Sequence, residues 1–162
     1  MKTVNKTPFW FMRQAGRYLP EYMKIRSENP DFLKLCFNPN LASEISLQPI
    51  RRFDLDFIIL FSDILVIPFC LGQDVKFLKN HGPCLTPIFS KKDLNYSNLK
   101  KCLDKLANIF ETLKVLNSKR GKKNLIGFCG GPFTVLNYMI EGGTSISHSK
   151  IKKFIKYQKK EA

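Results

Sequence analysis

The sequence predicts an α/β fold built on a parallel sheet. Three short, almost continuously apolar segments, 7–12, 56–61 and 124–129, have the pattern of strands that are covered on both faces. Each of them is followed by residues with helical features. The order β-α-β-α-β-α implies right-handed crossovers between parallel strands, and both a doubly wound sheet and an α/β barrel agree with it.

The first two predicted strands are separated by helical segments at about 19–27, 31–35 and 40–53. Pro39 and Asn40 are residue types that suit a helix start. The sequence therefore predicts that the third of these helices begins close to Pro39.

Between the second and third strands, we expect a short extended pair at 75–78 and 85–88 with a turn at 80–83. A long helix from about 95 to 119 follows. Its apolar residues recur at helical spacing and predict one buried face. These residues are Leu99, Cys102, Leu103, Leu106, Ile109, Phe110 and Leu113.

The third strand leads into Gly130-Gly131-Pro132, where a further helix is predicted to begin and to run to about Glu141. Another helix is predicted from Ser149 onward. The segment from Gly127 to Pro132 lacks the Gly-Lys-Ser/Thr ending of a phosphate loop and the glycine spacing of a dinucleotide site. A tight turn from strand to helix is therefore expected there.

Composition is typical of a folded globular chain. The 162 residues fit one domain, and 44% hydrophobic residues with 14 Phe supply a core, which argues against intrinsic disorder. No segment approaches the roughly 20 apolar residues that span a bilayer. The first residues lack a signal-peptide pattern. We expect a cytoplasmic protein without a membrane partner.

The net charge of +14 is unevenly distributed. Residues 1–90 carry 11 basic and 8 acidic side chains, a net of +3, whereas residues 91–162 carry 16 and 5, a net of +11. Solvated lysine faces explain such runs in most proteins. Because aromatic residues do not alternate with these lysines as in a stacking platform, no nucleic-acid partner is expected.

The five cysteines are an odd number, widely spaced and without a Cys-x-x-Cys pair, and the chain has only two histidines. A disulfide framework or a zinc site is therefore not expected. The pattern favours reduced, partly buried cysteines that act as small apolar residues.

Polar residues follow the ends of the predicted strands. They are Arg13 to Arg17 after the first strand, Ser62 and Asp63 after the second, and Gly130 and Gly131, leading to Tyr138, after the third. Parallel α/β folds place ligand sites at that end of the sheet. Two arginines around a glycine could donate to carboxylates, or they could be ordinary surface arginines. Tyr138 could equally be a core aromatic.

Asp63 lies in an apolar setting, where an unpaired carboxylate would be costly. Such an Asp either caps a helix or pairs with an arginine, or it has a function. The residue pattern does not separate these alternatives.

Four blocks, taken in order, resemble the uroporphyrinogen decarboxylase family. The first, Phe11-Met12-Arg13-Gln14-Ala15-Gly16-Arg17-Tyr18-Leu19-Pro20-Glu21, is similar to the long N-terminal signature of that family. The others are 47–53, 61–68 and 138–143, and the resemblance extends from Pro8 to about Lys153. Phe133 stands where the family often has Trp.

The resemblance implies a (β/α)8 TIM barrel, usually homodimeric, that converts uroporphyrinogen III to coproporphyrinogen III in haem and porphyrin biosynthesis without a metal or organic cofactor. Family members are about twice as long as this chain. Residues 1–162 are therefore expected to form a single partial domain, about the first three βα units of an incomplete barrel. We expect the chain to be inactive alone.

The resemblance also implies the site residues. Asp63 would be catalytic and would contact the substrate, stabilising the cation formed when a pyrrole carbon is protonated before CO2 leaves. The proton donor is left open between an arginine and a water. The remaining substrate-binding residues would be Arg13, Gln14, Ala15, Gly16, Arg17, Arg26 and Tyr138.

Two other hypotheses are kept open. The chain could be a non-catalytic remnant or a basic module that binds anionic partners. It could also be a related methyltransferase of the same barrel superfamily, although those proteins usually lack the Arg-Gln-Ala-Gly-Arg block.

Overall fold

The structure is a computed structural model that describes residues 6–12, 14–78, 81–90, 93 and 99–157. Its helices are α1 (Pro20–Glu28), α2 (Phe32–Cys36), α3 (Pro39–Arg52), α4 (Val66–Cys70), α5 (Leu99–Lys119), α6 (Pro132–Glu141) and α7 (Ser149–Tyr157). Its strands are β1 (Phe57–Ile59), β2 (Val75–Leu78), β3 (Gly82–Leu85) and β4 (Asn124–Ile126). The chain divides into two compact units, 1–62 with 108–128 and 63–107 with 129–162.

The first unit is built on the parallel pair of β1 and β4. The register places Phe57 opposite Asn124 and Ile59 opposite Ile126. Beyond the strands, the Leu60 N–H donates to the Ile126 carbonyl at 3.0 Å. The parallel arrangement predicted from the sequence is confirmed for these two strands.

An apolar core covers this pair. Ile58 of β1 is fully buried. It packs with Leu47 of α3, with Leu60 directly after β1 and with Leu116 of α5. Around them pack the partly buried side chains of Ile50, Ile109, Leu113 and Leu125. Full burial of a Leu or Ile side chain contributes about 1.5–3 kcal/mol, so this cluster fixes α3 and the second half of α5 against the sheet.

The first predicted strand is wrong in two respects. Residues 7–12 are extended but do not form a ladder, because their pairing with the start of β1 is confined to Phe9 and Asp56. The Phe9 N–H donates to Asp56 Oδ2 at 2.9 Å, and the Asp56 N–H donates to the Phe9 carbonyl at 3.3 Å. Phe11 and Met12 are 61% and 81% exposed, so this segment is not covered on both faces.

Helices α2 and α3 of the first unit begin directly after side chains that cap them. Asn38 Oδ1 accepts the N–H groups of Asn40 and Leu41, both at 3.1 Å, and Pro39 occupies the first helical position of α3. Asp31 Oδ1 accepts the Lys34 N–H at 3.0 Å at the start of α2. The predicted helix start at Pro39 is confirmed.

The block 47–53 carries two arginines that form ion pairs at the surface. Arg52 donates to both carboxylate oxygens of Glu21, at 3.1 and 2.9 Å, and so joins the end of α3 to the start of α1. Arg51 makes a comparable two-bond pair with Glu44, seven residues earlier on the same helix. The hydrogen bond from Arg52 lowers the pKa of Glu21. Bidentate geometry is the form of surface ion pair that restricts orientation most.

The second unit contains the antiparallel hairpin of β2 and β3, in which Val75 pairs with Leu85 and Leu78 with Gly82. The second extended segment was predicted three residues too late. The reason is that residues 85–88 pair with the end of α6: the Leu85 N–H donates to the Gly142 carbonyl at 2.9 Å, and the Ile88 N–H donates to the Met139 carbonyl at 3.0 Å.

The remaining helices agree with prediction except in two places. Helices α6 and α7 begin at Pro132 and Ser149 as expected, but α4 was not predicted. On α5, Leu103 and Phe110 are 53% and 52% exposed, although they were expected on the buried face. The first residues of the predicted long helix, 95–98, and residue 80 of the predicted turn lie outside the described residues. None of the helices in the described ranges has the length and apolar content of a membrane span.

Gly142 ends α6 with a left-handed backbone, φ 85°. A Cβ atom there would lie 2.7 Å from Pro87 Cγ and 3.0 Å from the Leu85 carbonyl oxygen, whereas a Cβ at Gly72, φ 96°, would meet no atom within 4 Å. Both glycines belong to the second unit, and both Gly→Ala changes carry the strain of positive φ, about 1–2 kcal/mol.

Gly142→Ala is expected to destabilise the chain by about 1–3 kcal/mol more than Gly72→Ala, because only Gly142 also suffers overpacking. Urea denaturation of the two variants and the unchanged chain measures the difference. Equal destabilisation by both changes would show that the contact with Pro87 is not tight in solution.

Candidate functional site

Residues 14–19, which include Arg17, form the arginine loop. This loop follows the extended N-terminal segment and is attached to β1 by Gln14. The Gln14 side chain is buried, and its Nε2 donates to the Phe57 carbonyl at 3.0 Å. The Tyr18 hydroxyl donates to the Gln14 carbonyl, and the Leu19 N–H donates to the Gly16 carbonyl at 3.0 Å. Residues 14–19 therefore form a closed turn held at the first residue of β1.

The individual loop residues have different surroundings. Ala15 packs against the core cluster of Leu19, Tyr22, Leu35 and Ile45, and Arg17 is exposed. A Cβ atom at Gly16 would be in ordinary contact with the Tyr18 ring at 3.6 Å, so packing within the chain leaves room for a side chain at Gly16. Arg13 lies outside the described residues.

Arg26 is held on α1 by three neighbours. Its guanidinium carbon lies 5.5 Å from the centre of the Phe32 ring, and its Nη1 donates to the Asn29 carbonyl at 2.5 Å. The third is Tyr22, four residues earlier, with which Arg26 interacts electrostatically. Burial is the main cause of the raised pKa of Tyr22, and the nearby charges of Arg26 and Arg17 act in the opposite direction.

Tyr22 was not singled out from the sequence, although its spacing carried a signal. Tyr22 and Arg26 are four residues apart on α1 and therefore share a face of the helix. The structure thus brings Gln14, Ala15, Gly16, Arg17 and Arg26 into one unit. It adds Tyr22, on whose hydroxyl the charges of Arg26 and Arg17 act.

An aromatic cluster connects this helix face to the end of β1. The Tyr22 and Phe61 ring centres are 6.0 Å apart, the Phe32 and Phe61 centres are 5.7 Å apart, and both contacts are edge-on. The Phe61 N–H donates to Ser46 Oγ at 2.8 Å. Arg26 therefore lies near the carboxyl end of β1.

Asp63 belongs to the second unit and caps the turn before α4. Its Oδ1 accepts the Leu65 N–H at 2.8 Å, and its carbonyl accepts the Val66 N–H at 3.3 Å. The side chain is partly buried, and this burial raises the pKa of Asp63, while the hydrogen bond from Leu65 opposes the rise. Asp63 is not the N-cap of α4, which is Leu65 and has no side-chain cap; its bond stabilises the preceding turn, and its catalytic role stays a prediction.

Gly130 lies at the tight turn that leads from β4 to α6. A Cβ atom at this position would overlap the Val135 side chain and lie 3.0 Å from Ile64 Cβ. Only glycine allows the residue next to Asp63 to pack this closely against the turn. The expected strand-to-helix turn is confirmed, since Pro132 opens α6 directly after Gly131.

Tyr138 is half-buried on α6, in the same unit as Asp63. Its carbonyl accepts the Gly142 N–H at 2.9 Å. The next residue, Met139, is buried, and its carbonyl accepts both the Ile88 N–H and Gln73 Nε2, each at 3.0 Å. The backbone around Tyr138 is therefore fixed by residues near the hairpin.

The described residues contain no group of three or more His, Cys, Asp or Glu side chains that could hold a metal ion. Cys36, Cys70 and Cys102 are buried, and Cys84 and Cys129 are exposed. Burial raises the pKa of Cys70 to about 12, so its thiol is protonated near neutral pH. The expectation of partly buried, apolar cysteines holds for three of the five.

Comparison with known proteins identifies close relatives along the whole chain. The family model described as uroporphyrinogen decarboxylase (URO-D) matches residues 1–162. The chain is 46% identical over 162 residues to the uroporphyrinogen decarboxylase of Campylobacter lari, covering 99% of this chain and 47% of that protein. It is 48% identical over 159 residues to that of Nitratiruptor sp., covering 95% and 46%. The chain thus spans about half the length of the curated relatives it matches.

Among solved structures, the chain is similar to a methyltransferase from Methanosarcina mazei, with a TM-score of 0.70 and 19% identity over 97% of this chain and 45% of that one. At this identity the likeness concerns the fold alone. The family match and this neighbour support a TIM-barrel-like α/β fold.

Because burial raises the pKa of Asp63, we expect this residue to make the unfolding free energy depend on pH. A carboxyl group whose pKa is higher in the folded than in the unfolded chain stabilises the fold below its ordinary pKa of about 4, and this stability is lost as pH rises through the folded value. Asn cannot ionise, and it keeps an oxygen for the Leu65 N–H. The unfolding free energy of Asp63→Asn, relative to the unchanged chain, should therefore increase from about pH 4 to about pH 7.

Chemical denaturation across that pH range measures this difference. A constant difference between the two proteins would contradict the raised pKa. A loss of stability in the variant at every pH would show that the carboxylate is needed for the cap itself.

Proposed function

The chain belongs to the uroporphyrinogen decarboxylase family, and from this membership we propose that it provides the N-terminal part of an enzyme that removes CO2 from the four acetate side chains of uroporphyrinogen III to give coproporphyrinogen III. The observation that carries the proposal is the identity of 46–48% along nearly the whole chain, which includes the arginine loop. The proposal extends to the relatives' full length, to a complete (β/α)8 barrel, and to a cytoplasmic homodimer that needs no cofactor.

In the first unit, Arg17 and Arg26 bind carboxylates of the substrate. Guanidinium groups donate charge-assisted hydrogen bonds to carboxylates, and each such bond contributes about 1.5–3 kcal/mol. The Gln14 bond to Phe57 supports this role because it holds the loop at a fixed point of β1. Arg13 and the backbone of Gln14, Ala15 and Gly16 take part by their match to the family.

In the second unit, Asp63 stabilises positive charge on the substrate. Loss of CO2 from a pyrrole acetate leaves an electron pair, and a pyrrole ring protonated at carbon is a cation that accepts this pair. Burial makes the free carboxylate of Asp63 costly, as its raised pKa indicates. A cation next to the carboxylate offsets that cost, and the attraction is strong where water is excluded. Tyr138 donates a hydrogen bond to a carboxylate arm.

The methyltransferase alternative has weaker support, because the likeness to that protein is limited to the fold. The experiment that tests the decarboxylase proposal uses a joined protein. It consists of these 162 residues followed by the part of the Campylobacter lari relative that lies beyond the matched segment. Formation of coproporphyrinogen from uroporphyrinogen III by the joined protein supports the proposal, and its absence in a folded joined protein refutes it.

Asp63→Asn in the joined protein should lower kcat by about 10²–10³-fold, the range for loss of one fixed electrostatic group, without a comparable loss of melting temperature. Asp63→Glu should retain more activity than Asn because it keeps the charge. Turnover and thermal melting are measured side by side. Near-normal turnover in the Asn variant would leave Asp63 with its capping role only.

Arg17→Ala in the joined protein should raise KM by about 10–100-fold, which corresponds to the loss of one charge-assisted hydrogen bond. Lys24→Ala is the matched control, since Lys24 is an exposed cation on the neighbouring helix α1. It should leave KM unchanged. An equal effect of both changes would mean that general positive charge, and not a specific contact, attracts the substrate.

A further inference from the structure

We propose that Ser46 is a positioning residue for the proposed reaction. Its hydroxyl holds the chain where β1 ends, and the aromatic cluster at that point keeps the guanidinium of Arg26 in place for a substrate carboxylate. The inference rests on the proposed function and deepens it. Ser46 belongs to none of the four sequence blocks that carry the family resemblance.

The Ser46 hydroxyl joins helix α3 to the end of β1. Ser46 is 1% exposed. Its Oγ donates to the Ala42 carbonyl at 2.7 Å and accepts the Phe61 N–H at 2.8 Å. A hydroxyl has one proton and two lone pairs, so the bond inside α3 uses the proton and leaves the lone pairs for Phe61. Because the bonds to the β4 segment end at Leu60, Ser46 supplies the acceptor that the next backbone N–H needs.

A second serine on the same helix separates this role from ordinary helix packing. Ser43 is also 1% exposed, and its Oγ donates to the Asn40 carbonyl at 3.0 Å within α3. Both hydroxyl protons are therefore used inside the helix, as is common for helical serines. Of the two serines, Ser46 is the one that also accepts a backbone N–H from the end of a strand.

Ring contacts connect Phe61 to Arg26 within the first unit. The Phe61 and Phe32 ring centres are 5.7 Å apart and meet edge-on, and the guanidinium carbon of Arg26 lies 5.5 Å from the Phe32 ring centre. On another side, the Phe61 ring meets the ring of Tyr22 at 6.0 Å. Edge-on contacts and a cation over a ring both depend on orientation. A displacement of Phe61 therefore disturbs the ring on which Arg26 stacks.

The orientation of Arg26 decides how well it binds a carboxylate. A guanidinium group is planar and carries its five N–H donors in a fixed fork. Its Nη1 donates to the Asn29 carbonyl at 2.5 Å, and the Phe32 ring fixes the group from a second direction. When the ring contact loosens, ordering of the side chain is paid in entropy at the moment of binding. Loss of the Ser46 hydroxyl is therefore expected to weaken substrate binding more than the chemical step.

The first test uses NMR of the chain itself. In Ser46→Ala, the amide of Phe61 should exchange its hydrogen about tenfold faster, because its acceptor is gone. The Nε–H signal of Arg26, assigned with an Arg26→Lys variant, should shift because the ring current of Phe32 changes. Ser43→Ala is the matched control and should leave both signals unchanged.

A third variant separates the hydroxyl from the volume of the side chain. Ser46→Thr keeps the hydroxyl and should keep both the slow exchange of Phe61 and the Arg26 signal. Unchanged Phe61 exchange or an unmoved Arg26 signal in Ser46→Ala would overturn the inference. Equal changes in the Ala and Thr variants would also overturn it, since they would assign the effect to packing.

The second test uses turnover by the joined protein. Ser46→Ala should raise KM about fivefold, the effect of ordering one side chain on binding, and change kcat less than about twofold, a split that a merely structural serine would not produce. Ser43→Ala should leave both constants unchanged. On an Arg26→Ala background, Ser46→Ala should not raise KM further, because residues that act through one contact are not additive.

The outcomes of this test separate the inference from the proposed function. An unchanged KM in Ser46→Ala, or an equal rise of KM with and without Arg26, would overturn the role of Ser46 and keep the decarboxylase proposal. Absence of turnover in the folded parent protein would refute that proposal. The NMR signals of Phe61 and Arg26 in the chain would then decide whether Ser46 positions Arg26.

Discussion

The parallel pairing of β1 with β4 under the helices α3 and α5 is the constraint on which the first unit depends. Ile58 is fully buried in it, and the ladder ends where the Leu60 N–H reaches the Ile126 carbonyl. Both edges of β1 are hydrogen-bonded, since β4 pairs with one edge and the Gln14 side chain donates to the Phe57 carbonyl. This geometry explains why the arginine loop and the Phe61 ring lie close to one short strand. A three-residue strand can position a site because its neighbours on both sides are attached to its backbone.

Glutamine side chains hold the candidate site segments in both units. Gln14 Nε2 binds the Phe57 carbonyl, and Gln73 Nε2 binds the carbonyls of Thr86 and Met139 at 2.7 and 3.0 Å. Backbone carbonyls outside a ladder need a donor, and a buried amide supplies one without burying a charge. In each case the amide oxygen is buried and has no partner among the described protein atoms. An unpaired buried polar atom costs about 1–3 kcal/mol. The stability of the fold is therefore sensitive to both glutamines.

Sequence reasoning succeeded where a local interaction decides the structure. Asn38 and Pro39 set the start of α3, and the glycine pair before Pro132 sets the start of α6. It failed where tertiary packing decides. Leu103 and Phe110 fit the apolar period of α5 but are exposed, whereas Thr112 is buried and its hydroxyl donates to the Asn108 carbonyl four residues earlier. The arginine loop was identified by its resemblance to a family, since composition alone favoured surface arginines.

Asp63 has one observed structural role and one proposed role, and a single substitution separates them. Its cap uses Oδ1, which accepts the Leu65 N–H, and an amide oxygen can accept that bond equally well. The feature that Asn cannot reproduce is the negative charge, which burial makes costly in the free protein. A residue selected only for the cap would gain stability by giving up that charge. The presence of a carboxylate where an amide would cap as well is therefore a physical argument that the charge itself has a function, and a bound cation is the partner that would restore its stability.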